Sequence, residues 1–194
     1  MSTSAILCIT NDFGPRAGGI ETFIIGLIER MPKSSVIVYT SSQEGSEPFD
    51  RAWRDDYGVE VIRDKSKILL PTPRVGRAVR KIAREREVTK AFFGAAAPLA
   101  LLSQWLRREG VTRIVALTHG HEVWWSQVWP FSFAIKRIGA GVDHLTYLGN
   151  YTKSQIEQSL SQRARESMVK IAPGIDTEHF APQSSAAALR AELG

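Results

Sequence analysis

What most constrains the fold of this chain is an alternation. Seven short runs are almost unbroken in apolar and β-branched residues: "AILCIT" (5–10), "SVIVYT" (35–40), "VEVIR" (59–63), "KAFFG" (90–94), "RIVALT" (113–118), "HLTYLG" (144–149) and "SMVKIA" (167–172). Runs of this length and character suit parallel strands covered on both faces, since successive side chains must be buried on either side. Most of the segments between them read as helices. "IETFIIGLIER" sets Ile20, Phe23, Ile24, Leu27 and Ile28 on one face and stops before Pro32. "RVGRAVRKIARER" sets Val75, Ala78, Val79 and Ile82 on one stripe. "APLALLSQWLRREG" offers Leu99, Leu102 and Leu106, with Gly110 placed to end it. "FAIKRIGAG" is a short helix by the same reading, and "NYTKSQIEQSL" opens on Asn150 as a helix cap. Strand and helix in alternation predict an α/β domain with a Rossmann-like, doubly wound parallel sheet.

Composition narrows the class. Hydrophobic residues make up 43% and charged residues 23%, an ordinary globular balance. The one cysteine, Cys8, lies inside an apolar run, so it reads as a small core residue in a reducing compartment. The start "MSTSAILCIT" lacks the charged region and longer apolar stretch of a secretory signal, and no apolar segment approaches the ~18–20 residues of a membrane span. These readings predict a cytoplasmic protein able to lie on a membrane surface. The net charge of +5 admits nucleic acid, lipid or small anions as partners.

Ligands of such sheets bind at the carboxyl ends of the strands, which selects three loops. The first, "NDFGPRAGGIETF", brings Gly18 and Gly19 to the start of a helix, where free N–H groups and the dipole favour an anion. It is neither G-x-G-x-x-G nor a P-loop, so it lacks the dinucleotide fingerprint. The second, "LTHGHEVWW", holds two of the four histidines, His119 and His121, followed by Glu122. Three roles compete there: metal ligand, catalytic group, strand cap. Zinc enzymes set paired histidines four apart on a helix, and structural zinc sites want cysteines, so no metal is expected. A histidine just past a strand end is well placed to hydrogen-bond a ligand hydroxyl or to stabilise charge. The third loop, "APGIDTEHFAP", reads as a rigid turn at Pro173–Gly174, with Asp176 capping a short turn beyond it.

Two surface features point towards lipid. Arg74, Arg77, Lys81 and Arg84 follow helical spacing opposite the apolar stripe, as either a solvated face or a contact for anionic headgroups. "WWSQVWPFSF" packs Trp124, Trp125, Trp129, Phe131 and Phe133 into ten residues, read as a loop facing an amphipathic acceptor or a membrane interface. No aromatic stacking platform accompanies the basic charge, so nucleic acid is not expected.

Taken together, "TNDFGPRAGGIETF", "LLPTP", "FFGAAAPLAL", "THGHEVWWS", "DHLTYLGNYT" and "APGIDTEHFAP" resemble the amino-terminal half of a family-four retaining glycosyltransferase of GT-B architecture. The likeness is strongest to the actinobacterial mannosyltransferases that build phosphatidylinositol mannosides. That resemblance implies an acceptor-side Rossmann-like domain at 1–182, and a linker at 183–194 leading to a donor-binding domain that this chain lacks. It implies GDP-mannose as the donor substrate, a phosphatidylinositol or polyprenyl-like lipid acceptor, no cofactor and no metal. It also implies peripheral attachment to the inner face of the cell membrane. By the same resemblance His119 is the catalytic-centre histidine that contacts the transferred sugar, and Gly18 and Gly19 meet the donor diphosphate. Asp12, Arg16, His121, Glu122, Trp124 and Trp125 fall in the acceptor and sugar pocket. Retention in this family is thought to use a donor phosphate oxygen to deprotonate the acceptor, so no hydrolase-like carboxylate pair is required. A glycosyltransferase with another sugar or acceptor stays open beside this, as do, on the residues alone, a non-catalytic module binding acceptor or anionic lipid and a dehydrogenase-like domain.

Overall fold

In the computed structural model of the chain, which describes residues 5–174 and Thr177, each of the seven apolar runs contributes a strand. These are β1 (Ile6–Thr10), β2 (Val36–Thr40), β3 (Glu60–Arg63), β4 (Lys90–Phe93), β5 (Arg113–Ala116), β6 (His144–Tyr147) and β7 (Val169–Lys170). They form one sheet in the order β3-β2-β1-β4-β5-β6-β7, and every pairing is parallel. Ile6 on β1 lies opposite Val36 on one side and Lys90 on the other, so β1 and β4 are central. The chain winds outwards from them in both directions, which is the doubly wound Rossmann-like arrangement.

The helices are α1 (Gly19–Glu29), α2 (Ser46–Tyr57), α3 (Pro73–Glu85), α4 (Ser103–Arg107), α5 (Glu122–Gln127), α6 (Phe131–Gly141), α7 (Asn150–Ile156) and α8 (Gln162–Glu166). A 3-10 turn, Leu99–Leu102, leads into α4. Strand side chains alternate between two cores. Cys8, Val36, Val38 and Phe92 pack with Phe23, Ile24 and Ile28 of α1 and Trp53 of α2. Leu7, Ile9, Ile37, Phe93 and Ile114 pack with α3, α4 and α6 on the opposite face. That split follows from right-handed crossovers: two helices serve the strands wound one way, and the rest serve those wound the other. Cys8 is fully buried, and burial pushes its thiol well up, away from reactivity.

Three local expectations need correction, and one helix, α2, went unread. α2 carries six charged residues in twelve, yet Phe49, Trp53 and Tyr57 recur every four residues as an aromatic stripe against the core, which sequence reasoning passed over. The tryptophan-rich segment is not simply a loop, because Glu122–Gln127 is helical. Gly149, in extended conformation, precedes α7 as its cap, and Asn150 is already the first helical residue. β7 is an exposed two-residue edge rather than a buried strand. The capping role of Asp176, the boundary at 182 and the linker 183–194 lie outside the described residues.

Partly buried ion pairs tie β3 and β6 to their surroundings. Asp64, after β3, accepts from both Nη atoms of Arg74 at 2.7 and 2.9 Å and from the Tyr39 hydroxyl at 2.5 Å. Arg74 outweighs the opposing effect of burial, and with help from Tyr39 and Ser66 holds Asp64 well below the usual carboxylate range. Burial pushes Asp143 upwards, but the Ile114 N–H and Arg107 together leave it lowered. Depressed carboxyls stabilise the fold above their unfolded values, and that contribution is lost as pH falls through the folded ones. Urea midpoints should therefore be level at mildly acidic pH and fall below pH about 4. Asp64→Asn should flatten the fall, and an acid-insensitive midpoint in the parent would contradict this reading.

Candidate functional site

The carboxyl ends of β1, β4 and β5 meet where the winding reverses, and the first two of the three selected loops converge there. The β1 loop is fixed from beneath. Phe13 is fully buried and edges against Phe49 and Trp53 of α2, with ring centres 5.4 and 5.1 Å away. Arg63, at the end of β3, donates to Gly14 O at 2.7 Å and to Phe13 O at 3.4 Å, while Asp50 holds its guanidinium on two nitrogens. Asn11 exchanges two hydrogen bonds with the backbone of Leu69, joining this loop to the segment before α3. Sequence reasoning missed Arg63 and Asn11, whose partners lie far away along the chain.

Gly18 is the cap position of α1 and Gly19 its first residue, and no side chain caps this end. A Cβ on Gly18 would sit 2.3 Å from a Glu21 carboxylate oxygen, whereas a Cβ on Gly19 would meet nothing within 4 Å. Gly18 is thus small for packing, and Gly19 leaves the helix end open to an approaching group. Glu21 is buried with its carboxylate held by Arg16, whose Nε and Nη2 donate to Oε1 at 2.9 and 2.6 Å. Arg16 also lies 3.7 Å from Asp12 and is itself largely exposed at the mouth of the loop. Beside it an open groove of about 560 Å³ is lined by Pro15, Arg16, Ser42, Gln43, Glu44 and Lys67.

His119 stands across from this helix start. Its Nε2 lies 2.6 Å from the carbonyl oxygen of Gly94, at the end of β4. A carbonyl can only accept, so Nε2 carries the proton and donates, leaving Nδ1 to address a ligand. The ring sits edge-on to Phe23 of α1, 5.5 Å between centres, so one aromatic residue couples the helix start to the histidine. Close packing explains Gly94: a Cβ there would meet Ile24 and Thr10 at 2.5 Å. Gly120 adopts φ +108°, a left-handed conformation that favours glycine, and so lets the loop turn between the two histidines.

Glu122 is fully buried, so it builds this loop rather than lining a pocket. Its Oε2 accepts from the backbone N–H of His119 at 3.0 Å and of Gly120 at 3.2 Å. Its Oε1 faces His121 Nε2 at 3.3 Å, and the same nitrogen reaches Ala97 O at 3.4 Å. Both tryptophans of the expected pocket pack at a tilt against Phe131, with ring centres 5.0 Å away for Trp124 and 4.8 Å for Trp125. The basic helix divides as well. Arg77, Lys81 and Arg84 are exposed on α3, but Arg74 is drawn inwards onto Asp64 and is structural. Ile68 and Leu70, exposed in the segment before α3, complete an apolar and basic margin that sequence reasoning passed over.

Burial raises the Asp12 carboxyl above its ordinary range and the charge of Glu21 adds to this, while Arg16, His119 and His121 pull the other way. A carboxyl raised by folding favours the folded state at low pH and loses that contribution as pH rises through its folded value. At neutral pH the Asp12 charge therefore opposes folding. Asp12→Asn is expected to raise the thermal midpoint at pH 7, with the gain vanishing in acid. A lower midpoint at pH 7 would overturn that assignment. Among the described residues no group of three His, Cys, Asp or Glu side chains is placed to hold a metal ion, and no helix is long and apolar enough to cross a membrane.

Comparison with known proteins bears on this arrangement. The solved structure of Anabaena Alr3699/HepE in complex with UDP superposes with a TM-score of 0.68 at 13% identity, over 98% of this chain and 50% of that one. The chain is 38% identical over 193 residues to a GDP-mannose-dependent α-(1-6)-phosphatidylinositol monomannoside mannosyltransferase of Mycobacterium tuberculosis, covering 98% of this chain and 49% of the relative. It is 35% identical over 190 residues to a GDP-mannose-dependent monoacylated α-(1-6)-phosphatidylinositol monomannoside mannosyltransferase of Corynebacterium glutamicum, covering 97% of this chain and 49% of the relative. The chain thus spans about half the length of the curated relatives it matches. The family model for Glycosyltransferase Family 4 matches residues 17–179, from the glycine pair at the start of α1 to beyond the last strand, and the chain belongs to that family.

Proposed function

We propose that this chain is the acceptor-side half of a GT-B enzyme that transfers mannose from GDP-mannose, with retention, to a phosphatidylinositol-type lipid. The observation that carries the reading is the convergence of an open helix start and His119 at the sheet's switch point, in a chain related to mannosyltransferases. The donor diphosphate lies against the N–H groups at Gly18 and Gly19, where the helix dipole offsets its charge. His119 presents Nδ1 to the transferred sugar, its ring held by Gly94 and Phe23. Asp12 and Arg16 form the rim that the acceptor hydroxyls meet, and His121 and Glu122 keep the loop in place. The remaining donor contacts come from a second domain joined beyond residues 183–194. The reaction needs no metal, since positioning and fixed dipoles stabilise the leaving diphosphate. The enzyme works from the cytoplasmic side, with the exposed cations Arg77, Lys81 and Arg84 near anionic headgroups.

The test is transfer of labelled mannose from GDP-mannose to phosphatidylinositol monomannoside by the whole enzyme that carries this chain, with the chain alone in parallel. Lipid-extractable product from the whole enzyme only is the expected result. Turnover by the chain alone would refute the division of labour, and a whole enzyme inert with GDP-mannose would refute the donor.

A further inference from the structure

The two helical layers carry opposite charge. On one face of the sheet, α3, α4 and α6 together hold eight Lys and Arg residues and one acid, Glu85. Three of the eight, Arg74, Arg80 and Arg107, pair with Asp64, Glu109 and Asp143 outside those helices, which leaves five. Glu85 pairs within its own helix, 3.9 Å from Lys81. On the other face, α1 and α2 hold two basic residues against six acids. Such a molecule orients in the field of an anionic surface, with the α3–α4–α6 layer towards it.

At one corner of that layer the exposure is aromatic. Trp129, in the turn between α5 and α6, is 83% exposed, and Phe133, in the first turn of α6, is 57% exposed. Trp124 of α5 is 55% exposed beside them, resting on Phe131. Large aromatic side chains are rarely left this open on a soluble surface, and several together mark a contact. Further along α6, the exposed residues are Lys136, Arg137 and Ala140, while Ile135, Ile138 and Gly139 face the core. The Arg137 guanidinium lies 5.9 Å from the centre of the Phe133 ring. From Val128 to Val142 the sequence contains no acid. Aromatic rings flanked by cations with no acid between them match the border of headgroup and acyl chain, where Trp settles and Lys and Arg meet phosphate.

We infer that the α5–α6 corner, with Trp129 and Phe133 at its tip and Lys136 and Arg137 behind it, inserts into the interface of an anionic bilayer. α6 returns the chain from the carboxyl end of β5 to the amino end of β6, so its first turn lies at the level of His119. Insertion there brings the rim of the candidate site to the headgroup layer. The purpose of the contact rests on the lipid-acceptor reading, but its existence does not.

The test is flotation of the 194-residue chain with vesicles of phosphatidylcholine mixed with phosphatidylglycerol, and with phosphatidylcholine alone. Brominated lipid added as a quencher of tryptophan fluorescence reports insertion. The parent chain should float with the anionic vesicles and be quenched. Trp129→Ser with Phe133→Ser should lower partitioning on the order of tenfold and remove most of the quenching. Because both side chains are exposed, the thermal midpoint of that variant should match the parent. Lys136→Gln with Arg137→Gln should weaken binding to the anionic vesicles only, and less so at high salt. Equal flotation and quenching of parent and aromatic variant would overturn the inference, as would a parent that ignores vesicles. These vesicles hold neither donor nor acceptor, so failure here leaves mannosyl transfer standing, and failed transfer leaves the insertion standing.

Discussion

Alanine in place of Glu122 is expected to cost about 2–4 kcal/mol of folding stability, because two buried backbone N–H groups lose their acceptor and a cavity opens in a fully buried position. The carboxylate has no route to solvent, and its work is local: it holds the N–H groups of His119 and Gly120 and faces His121. Without it the loop has no reason to keep the turn at Gly120, and the His119 ring loses its register with Gly94. Glu122→Gln keeps an oxygen for the N–H groups and should recover much of the lost stability. The measurements are urea unfolding of both variants and the amide chemical shifts of residues 117–122. Stability of Glu122→Ala equal to the parent would show that the loop is held by something else.

His119→Ala should behave in the opposite way. The ring makes one hydrogen bond, to Gly94, and one edge contact, with Phe23, so unfolding free energy should change by only about 1 kcal/mol. If Nδ1 addresses the transferred sugar as proposed, mannosyl transfer by the whole enzyme should fall by about two to three orders of magnitude. Most of that loss belongs in kcat, since a contact that strengthens as charge develops acts chiefly on the transition state. Full activity in a folded His119→Ala enzyme would remove the histidine from the reaction centre.

Much of the architecture was legible because buried parallel strands announce themselves. Ile6–Thr10, Val36–Thr40 and Arg113–Ala116 sit inside the apolar runs that suggested them, since covering both faces leaves little place for polar side chains. The glycine pair and the histidine loop were found by the rule that ligands bind at strand ends, and the sheet order brings those two loops together. What stayed hidden depends on partners that no periodic pattern reports. α2 is the exception, setting Phe49, Trp53 and Tyr57 four apart among six charged residues, so that the charge masked its narrow aromatic stripe. Glu122 read as a pocket residue because a fully buried carboxylate is rare, and its partners are backbone groups two and three residues away. Arg74 looked like one more cation on a basic face until Asp64, ten residues earlier, was seen to hold it. The tryptophan pair was read from its neighbours in sequence, yet Phe131 is what both rings pack on.

The central claim is that acceptor and donor meet where the β1 loop, the end of β4 and the β5 loop converge. The most direct measurement is a titration of this chain with the deacylated headgroup of phosphatidylinositol monomannoside, monitored by amide chemical shifts. Shifts concentrated in residues 12–22, 94–97 and 117–122 are the predicted result. Shifts confined to the opposite end of the sheet, or none at saturating headgroup, would contradict the account.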